Sequence, residues 1–96
     1  MEGYVKAIYS IVGMKHLGTE VLIADMKAGE MLALVRDPLN DYDANAVQVW
    51  GRQVQLGYIK ATEATSLARS MDEKQTASKL AIFAIDNRWP CAEINE

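Results

Sequence analysis

The side chains best able to do chemistry crowd into one stretch, Arg36-Asp37-Pro38-Leu39-Asn40-Asp41-Tyr42-Asp43-Ala44-Asn45-Ala46-Val47-Gln48-Val49. Three carboxylates, Asp37, Asp41 and Asp43, alternate there with the amides of Asn40 and Asn45 around one phenol, Tyr42. Such short polar side chains hydrogen-bond nearby backbone and tolerate turn conformations. A carboxylate in such a loop can also accept a hydrogen bond from a ligand. The same acids hold a divalent ion far less often than they build turns. Tyr42 is either a presented aromatic or a half-buried anchor. Pro38 donates nothing to a sheet ladder and pushes Asp37 out of helical geometry, so the preceding strand ends there. A loop clamped by two strands and presenting an aromatic with several acids is a common way to build a site.

Other chemistries find little support. One cysteine and one histidine do not make a metal cage, zinc included. A nucleophilic pair of Cys91 and His16 is a poor reading with the cysteine in the tail. No strand leads into a Gly-x-x-x-x-Gly-Lys-Ser/Thr loop, so no ATPase is expected. The expectation is a non-enzyme without a cofactor. With 96 residues, 50% hydrophobic and 24% charged, the chain fits a single domain, 1–96, of ordinary globular type. No apolar run approaches a membrane-spanning length, and the Met-Glu-Gly-Tyr start lacks a basic-then-apolar leader. A lone cysteine fits a reducing compartment, so a cytoplasmic location is expected. The net charge of −3 argues against extended non-specific duplex binding, which uses many cations, but leaves room for a small local site.

The elements that must position the loop follow from apolar spacing. Tyr4 to Val12 alternates, with Val5, Ala7, Tyr9 and Ile11 on one face, and reads as a strand. Gly13 to Gly18 is bracketed by glycines and reads as a loop able to approach something closely. The segment from Thr19 to Ala24 is open between a capped helix and extended structure. Lys27 to Glu30 is a turn, and Met31 to Val35 reads as a fully buried strand. Past the polar stretch, Ala46 to Trp50 is a strand, Gly51-Arg52 a tight turn and Val54 to Ile59 its hairpin partner. Ala64, Leu67, Ala68 and Met71 recur at helical spacing within a helix from Thr62 to Asp72, with Thr62 as cap and Glu63 at its positive end. Lys79 to Ile85 is a last strand, and Asp86 to Glu96 is weakly patterned. Many short strands with one or two short helices predict a mainly β fold, a small, partly closed, OB-like antiparallel barrel.

Leu34-Val35-Arg36-Asp37-Pro38, then Asn40, Tyr42-Asp43, Asn45-Ala46-Val47 and Leu56-Gly57-Tyr58-Ile59, resemble the HIRAN family. The helix with Leu67-Ala68 and Met71-Asp72, and the Gly13 to Gly18 loop, stand where that family has a helix and a Gly-bounded loop. The resemblance implies an OB-like barrel, a stand-alone bacterial or phage-type member, and capture of the unpaired 3′ end of DNA in repair or replication. It gives Asp43 the part of acceptor for the terminal 3′-hydroxyl and lays Tyr42 against the last nucleotide. That chemistry is reasonable: a carboxylate near DNA is unfavourable unless it meets a donor, and a free sugar hydroxyl is one.

Lys15 and His16 stand where DNA-binding members carry Arg then Tyr. Lysine offers no planar fork, while His16 can still stack with a smaller face. Lys60 replaces a common proline and adds a charge that can meet a phosphate at a helix start. Phe83 is the candidate for the later-strand aromatic that supports a base. Gly57 and Asn45 read as structural, Arg36 as a partner for a nearby acid, Trp50 as hairpin packing and Trp89 as a tail anchor. The rival expectation is a protein-interaction module with DNA binding lost, favoured by the negative charge and the Lys15-His16 departure. A third is an accessory role in a phage or mobile element with no retained ligand.

Overall fold

Strands that are apolar on alternate residues can bury one face only if the sheet closes on itself or is covered, and here it closes. In the computed structural model, which describes residues 6–95, six strands form a closed barrel in the order β1-β4-β3-β2-β5-β6. They are β1 (Lys6–Val12), β2 (Met31–Arg36), β3 (Val47–Gly51), β4 (Val54–Ile59), β5 (Ser78–Asp86) and β6 (Trp89–Asn95). Each neighbouring pair is antiparallel, including β6 on β1, which completes the ring. Three helices, α1 (Met14–Leu17), α2 (Glu20–Asp25) and α3 (Ala61–Glu73), lie in the connections.

Inward-facing Ile11, Leu32, Leu34, Val47, Val49, Leu56, Phe83, Ala92 and Ile94 fill the barrel. The α3 face of Ala64, Leu67, Ala68 and Met71 joins the same cluster, as the helical spacing of those residues predicts. Gly57 is needed where β4 crosses β1, because a Cβ there would run into the Val12 carbonyl. The β3–β4 turn places Arg52 and Gln53 at φ 51° and 68°, the doubly left-handed form whose twist matches a hairpin.

Several expectations need correction. Phe83 is fully buried inside the barrel and cannot support a base, because the strand parity that pairs it with Ala92 points it inward. The weakly patterned tail contains β6, which seals the barrel. It is joined to β5 by Asn87 and Arg88 at φ 51° and 66°, and asparagine tolerates that region well. β2 is buried on one face only, with Met31 57% exposed, since the wall of a small barrel keeps a solvated side. The Gly13 to Gly18 segment forms one helical turn, α1, with left-handed glycines at both ends. The open choice after Thr19 falls to helix α2, yet the Thr19 hydroxyl caps nothing and donates to the Leu56 carbonyl instead. Thr62 does not cap α3 either. That helix starts at Ala61, and the Lys60 carbonyl receives the Glu63 and Ala64 N–H groups at 2.9 Å. Glu63 reaches across to accept the Ser10 N–H at 2.7 Å. Tyr4 and Val5 lie outside the described residues.

Candidate functional site

The β2–β3 connection, residues 37–46, is held by its own short polar side chains. The Asp37 N–H donates to the Ala46 carbonyl at 3.0 Å and closes the neck of the loop. Asn40 is the hub: its Oδ1 accepts the Tyr42 and Asp43 N–H groups at 2.9 and 3.1 Å. Its amide Nδ2 donates to Asp37 at 3.0 Å. Asp43 Oδ1 accepts the Asn45 N–H at 2.8 Å. These are the backbone-pinning bonds expected of Asn and Asp in turns. They leave the second carboxylate oxygen of Asp43 with no hydrogen-bond partner among the described residues, and Tyr42 stands 98% exposed beside it.

Beneath the loop, Arg36 acts as a strut. Its side chain is largely buried. It donates to both oxygens of Asp72 on α3, at 2.9 and 3.1 Å, and to the Ala46 and Ala44 carbonyls at 2.8 and 3.1 Å. The planar guanidinium has the donors for such a fork, which lysine lacks. The Asp72 hydrogen bond raises the affinity of Arg36 for its proton, and the reverse bond holds the Asp72 carboxyl below its ordinary value. One side chain thus ties the back of the loop to the helix that follows β4.

In front of the loop opens a cleft of about 720 Å³. Asp43 and Tyr42 form one side, Gly13 and His16 the other, and Tyr58 with Ile59 lies between. Outward parity on β4 and the left-handed Gly13, at φ 82°, set the Tyr58 ring against the start of α1. A second hollow of about 330 Å³ is lined by Ser10, Val12, Lys60 and Trp89. It adjoins the first through Val12, which lines both. The Trp89 indole N–H is already given to the Ile11 carbonyl at 3.0 Å, so its half-exposed ring presents an apolar face.

Of the six residues expected at the site, Tyr42, Asp43 and His16 come together in the main cleft. Lys60 lies in the adjoining hollow. Lys15 is exposed on α1, outside the lining of both hollows. Phe83 is in the core. Tyr58, Trp89 and Arg36 were missed in these roles. Strand parity in Val54 to Ile59 was enough to turn Tyr58 outward. Recognising β6 was the step needed for Trp89. The sequence gives Arg36 a nearby acid as partner, but the acid it meets is Asp72 on α3, which depends on how the chain folds back. Among the described residues no group of three or more His, Cys, Asp or Glu side chains is arranged to hold a metal ion. Cys91 is buried, and burial pushes its thiol up from the usual value, which disfavours the nucleophilic thiolate. No helix among the described residues is long and apolar enough to cross a membrane.

Comparison with known proteins places this geometry in context. The HIRAN domain family matches residues 4–92. A SWI/SNF-related matrix-associated actin-dependent regulator of chromatin, subfamily A member 3-like 1, of Arabidopsis thaliana is 41% identical over 66 residues, 68% of this chain and 7% of that protein. The match therefore spans a small part of that relative's length. A crystal structure of a protein from Lactobacillus plantarum superposes with a TM-score of 0.74 at 20% identity, covering 97% of both chains. The HIRAN domain of human HLTF superposes with a TM-score of 0.62 at 24% identity, covering 97% of this chain and 74% of that one.

Proposed function

The chain belongs to the HIRAN domain family, and from that premise we propose that it is a non-catalytic DNA-binding module whose cleft receives the free 3′ end of a single strand. The observation that carries this reading is Asp43, which lines the cleft with one carboxylate oxygen unpaired, next in sequence to the exposed Tyr42. A terminal 3′-hydroxyl donates to that oxygen. An internal 3′ oxygen has no proton to give, and a terminal 3′-phosphate sets two anions together. A hydrogen bond to a charged group contributes about 1.5–3 kcal/mol, enough to select an end over an interior.

The remaining groups have supporting parts. Tyr42 lies against the last nucleotide, and the Tyr58 and His16 rings offer faces for an unstacked base. Further along, Trp89 offers its indole face and Lys60 a charge for the next phosphate. Trp89 thus takes the part assigned in the sequence to Phe83. Few phosphates are met, so affinity falls only shallowly with salt. The working context is DNA repair or replication, with a protein of that process as partner. A second reading, a protein-interaction module that has lost DNA, draws on the net charge of −3 and on Lys15 standing outside the cleft lining.

Fluorescence anisotropy with a short unpaired oligonucleotide tests the proposal. The 3′-hydroxyl strand is expected to bind at least tenfold tighter than the same strand ending in 3′-phosphate. Equal affinities remove end recognition, and no binding of either strand favours the protein-interaction reading.

A further inference from the structure

Sites for nucleic acid ordinarily meet phosphates with lysine and arginine, and the main cleft departs from that rule. Asp41 and Asp43 line it, and among the described residues no lysine or arginine does. Lys15 is exposed on α1 outside the lining, and Lys60 lies in the adjoining hollow. A strand that enters by its 3′-hydroxyl brings the phosphate joining its last two nucleotides, and that anion must pass two carboxylates. His16 is the one side chain of the lining that can become a cation at ordinary pH.

Its backbone is fixed and its ring is free. The single turn of α1 is bounded by left-handed Gly13 and Gly18, at φ 82° and 69°, and the His16 N–H is given to the Gly13 carbonyl at 3.2 Å. The imidazole is exposed, and neither ring nitrogen has a hydrogen-bond partner among the described residues. Charged and titratable groups flank it on every side. Lys15 is on its own turn, and Glu20 opens α2. The loop brings Asp41, Tyr42 and Asp43, and β4 brings Tyr58, with Lys60 just beyond its end. On α3, Glu63 is turned away to the Ser10 N–H. Two lysines thus stand against three acids, and a proton on His16 brings the two signs level.

We infer that protonated His16 is the contact for the phosphate next to the bound 3′ end, so that capture of the strand takes up a proton; this rests on the 3′-end reading of the same cleft. Histidine is the side chain whose charge ordinarily changes between pH 5 and 8, well above the range in which carboxylates take up protons. Protonated imidazole donates from both nitrogens, and a charge-assisted bond to a phosphate oxygen is stronger than a neutral one. Neutral imidazole still stacks but offers one donor and no charge. A ligand that prefers the protonated form binds more tightly as pH falls and more weakly as pH rises through the histidine range. The chain has one histidine, so this dependence has a single origin that substitution can remove.

Anisotropy titrations with a short 3′-hydroxyl oligothymidylate, whose bases do not titrate in this range, test it at about pH 6 and about pH 8 and fixed ionic strength. The wild-type chain should bind about fivefold tighter at the lower pH. His16→Phe keeps a flat ring without a proton and should bind equally at both, near the wild-type level at the higher pH. His16→Arg carries a fixed charge and should also bind equally at both, near the wild-type level at the lower pH. Circular dichroism melts establish that each variant is folded. Wild-type affinity indifferent to pH overturns the inference, and so does a dependence that survives in His16→Phe. The same strand with a 3′-phosphate, run at the higher pH, separates this from end recognition. A hydroxyl preference with a flat pH profile overturns the His16 contact alone. No preference, with a profile that His16→Phe abolishes, overturns end recognition and leaves the phosphate contact standing. Failure of every strand to bind at either pH overturns both.

Discussion

The two opposite walls of this barrel are built from the same alternation and put it to contrasting uses. Around the cleft, polar side chains are spent on one another, and Asp43 is pinned through one carboxylate oxygen while its other stays unpaired among the described residues. On the β2–β5 wall, apolar side chains face outward with nothing over them. In the first case the proposed specificity rests on one carboxylate, held by the Asn40 bonds to the loop, by its own bond to the Asn45 N–H and by the Arg36 strut. The lesson is that a small domain can keep a precise polar site if the loop that carries it is hydrogen-bonded from behind.

The contrast can be broken most severely from between the walls. Phe83→Ala, inside β5, should cost about 3–4 kcal/mol of stability, read from urea unfolding, and damage both walls alike. A shift under about 1 kcal/mol would return Phe83 to the surface role first expected of it. Next comes Arg36→Met, which leaves the Ala44 carbonyl without a side-chain donor, leaves the Ala46 carbonyl with only the Asp37 N–H, and frees Asp72. It should cost about 2 kcal/mol and loosen the cleft far more than the opposite wall. Hydrogen exchange of the Tyr42, Asp43 and Ala46 amides should rise while that of β5 follows only the global change.

A gentler change sharpens the comparison at the leftover atom. Asp43→Asn keeps an oxygen for the Asn45 N–H but turns a charged acceptor into a neutral one. DNA affinity in anisotropy titrations should fall about tenfold, equivalent to roughly 1.4 kcal/mol, with unfolding stability nearly unchanged. The smallest effect expected is on pH dependence. The guanidinium hydrogen bonds of Arg36 hold Asp72 below its ordinary value, and those of Arg52 do the same first of all for Asp25 and Glu30. A carboxylate with a lowered folded value adds stability above its unfolded value, near pH 4, and that stability is lost as pH falls through the folded value. Melting temperatures should therefore decline below about pH 4, and Arg36→Met should remove the Asp72 share of the decline. Asp25 and Asp72 are exposed and Glu30 is partly so, and solvent screens all three pairs, so the slope is shallow.

How much of this was readable in the chain varies by element. β4 was legible because Val54 to Ile59 is bounded by a turn and a helix start. The Asn40 to Asn45 loop was legible because its residue types have few other uses. β6 was not, since Trp89-Pro90-Cys91 breaks the alternation and its place is fixed by β1 and β5, far away in sequence. For the same reason Phe83, the candidate base support, proves to be core, while Trp89, read as a tail anchor, stands half-exposed beside Lys60 in the second hollow. Residue type marks both as apolar aromatics, and only the closure of the ring decides which points inward. Arg36 illustrates a further limit: sequence named it as an ion-pair partner, but its partner Asp72 arrives through β3, β4 and α3. The apolar outer wall was hidden too, because Met31 to Val35 reads as buried on both faces until the ring shows that one faces solvent.

The central claim is that the spare Asp43 oxygen distinguishes a strand end from any other phosphodiester. The most direct measurement is the ratio of dissociation constants for 3′-phosphate and 3′-hydroxyl strands, taken on the wild-type chain and again on Asp43→Asn. The account predicts a ratio of about ten or more that collapses toward one in the variant, which accepts more weakly and no longer repels the phosphate. An unchanged ratio would contradict it, since the preference would then reside in groups other than this carboxylate.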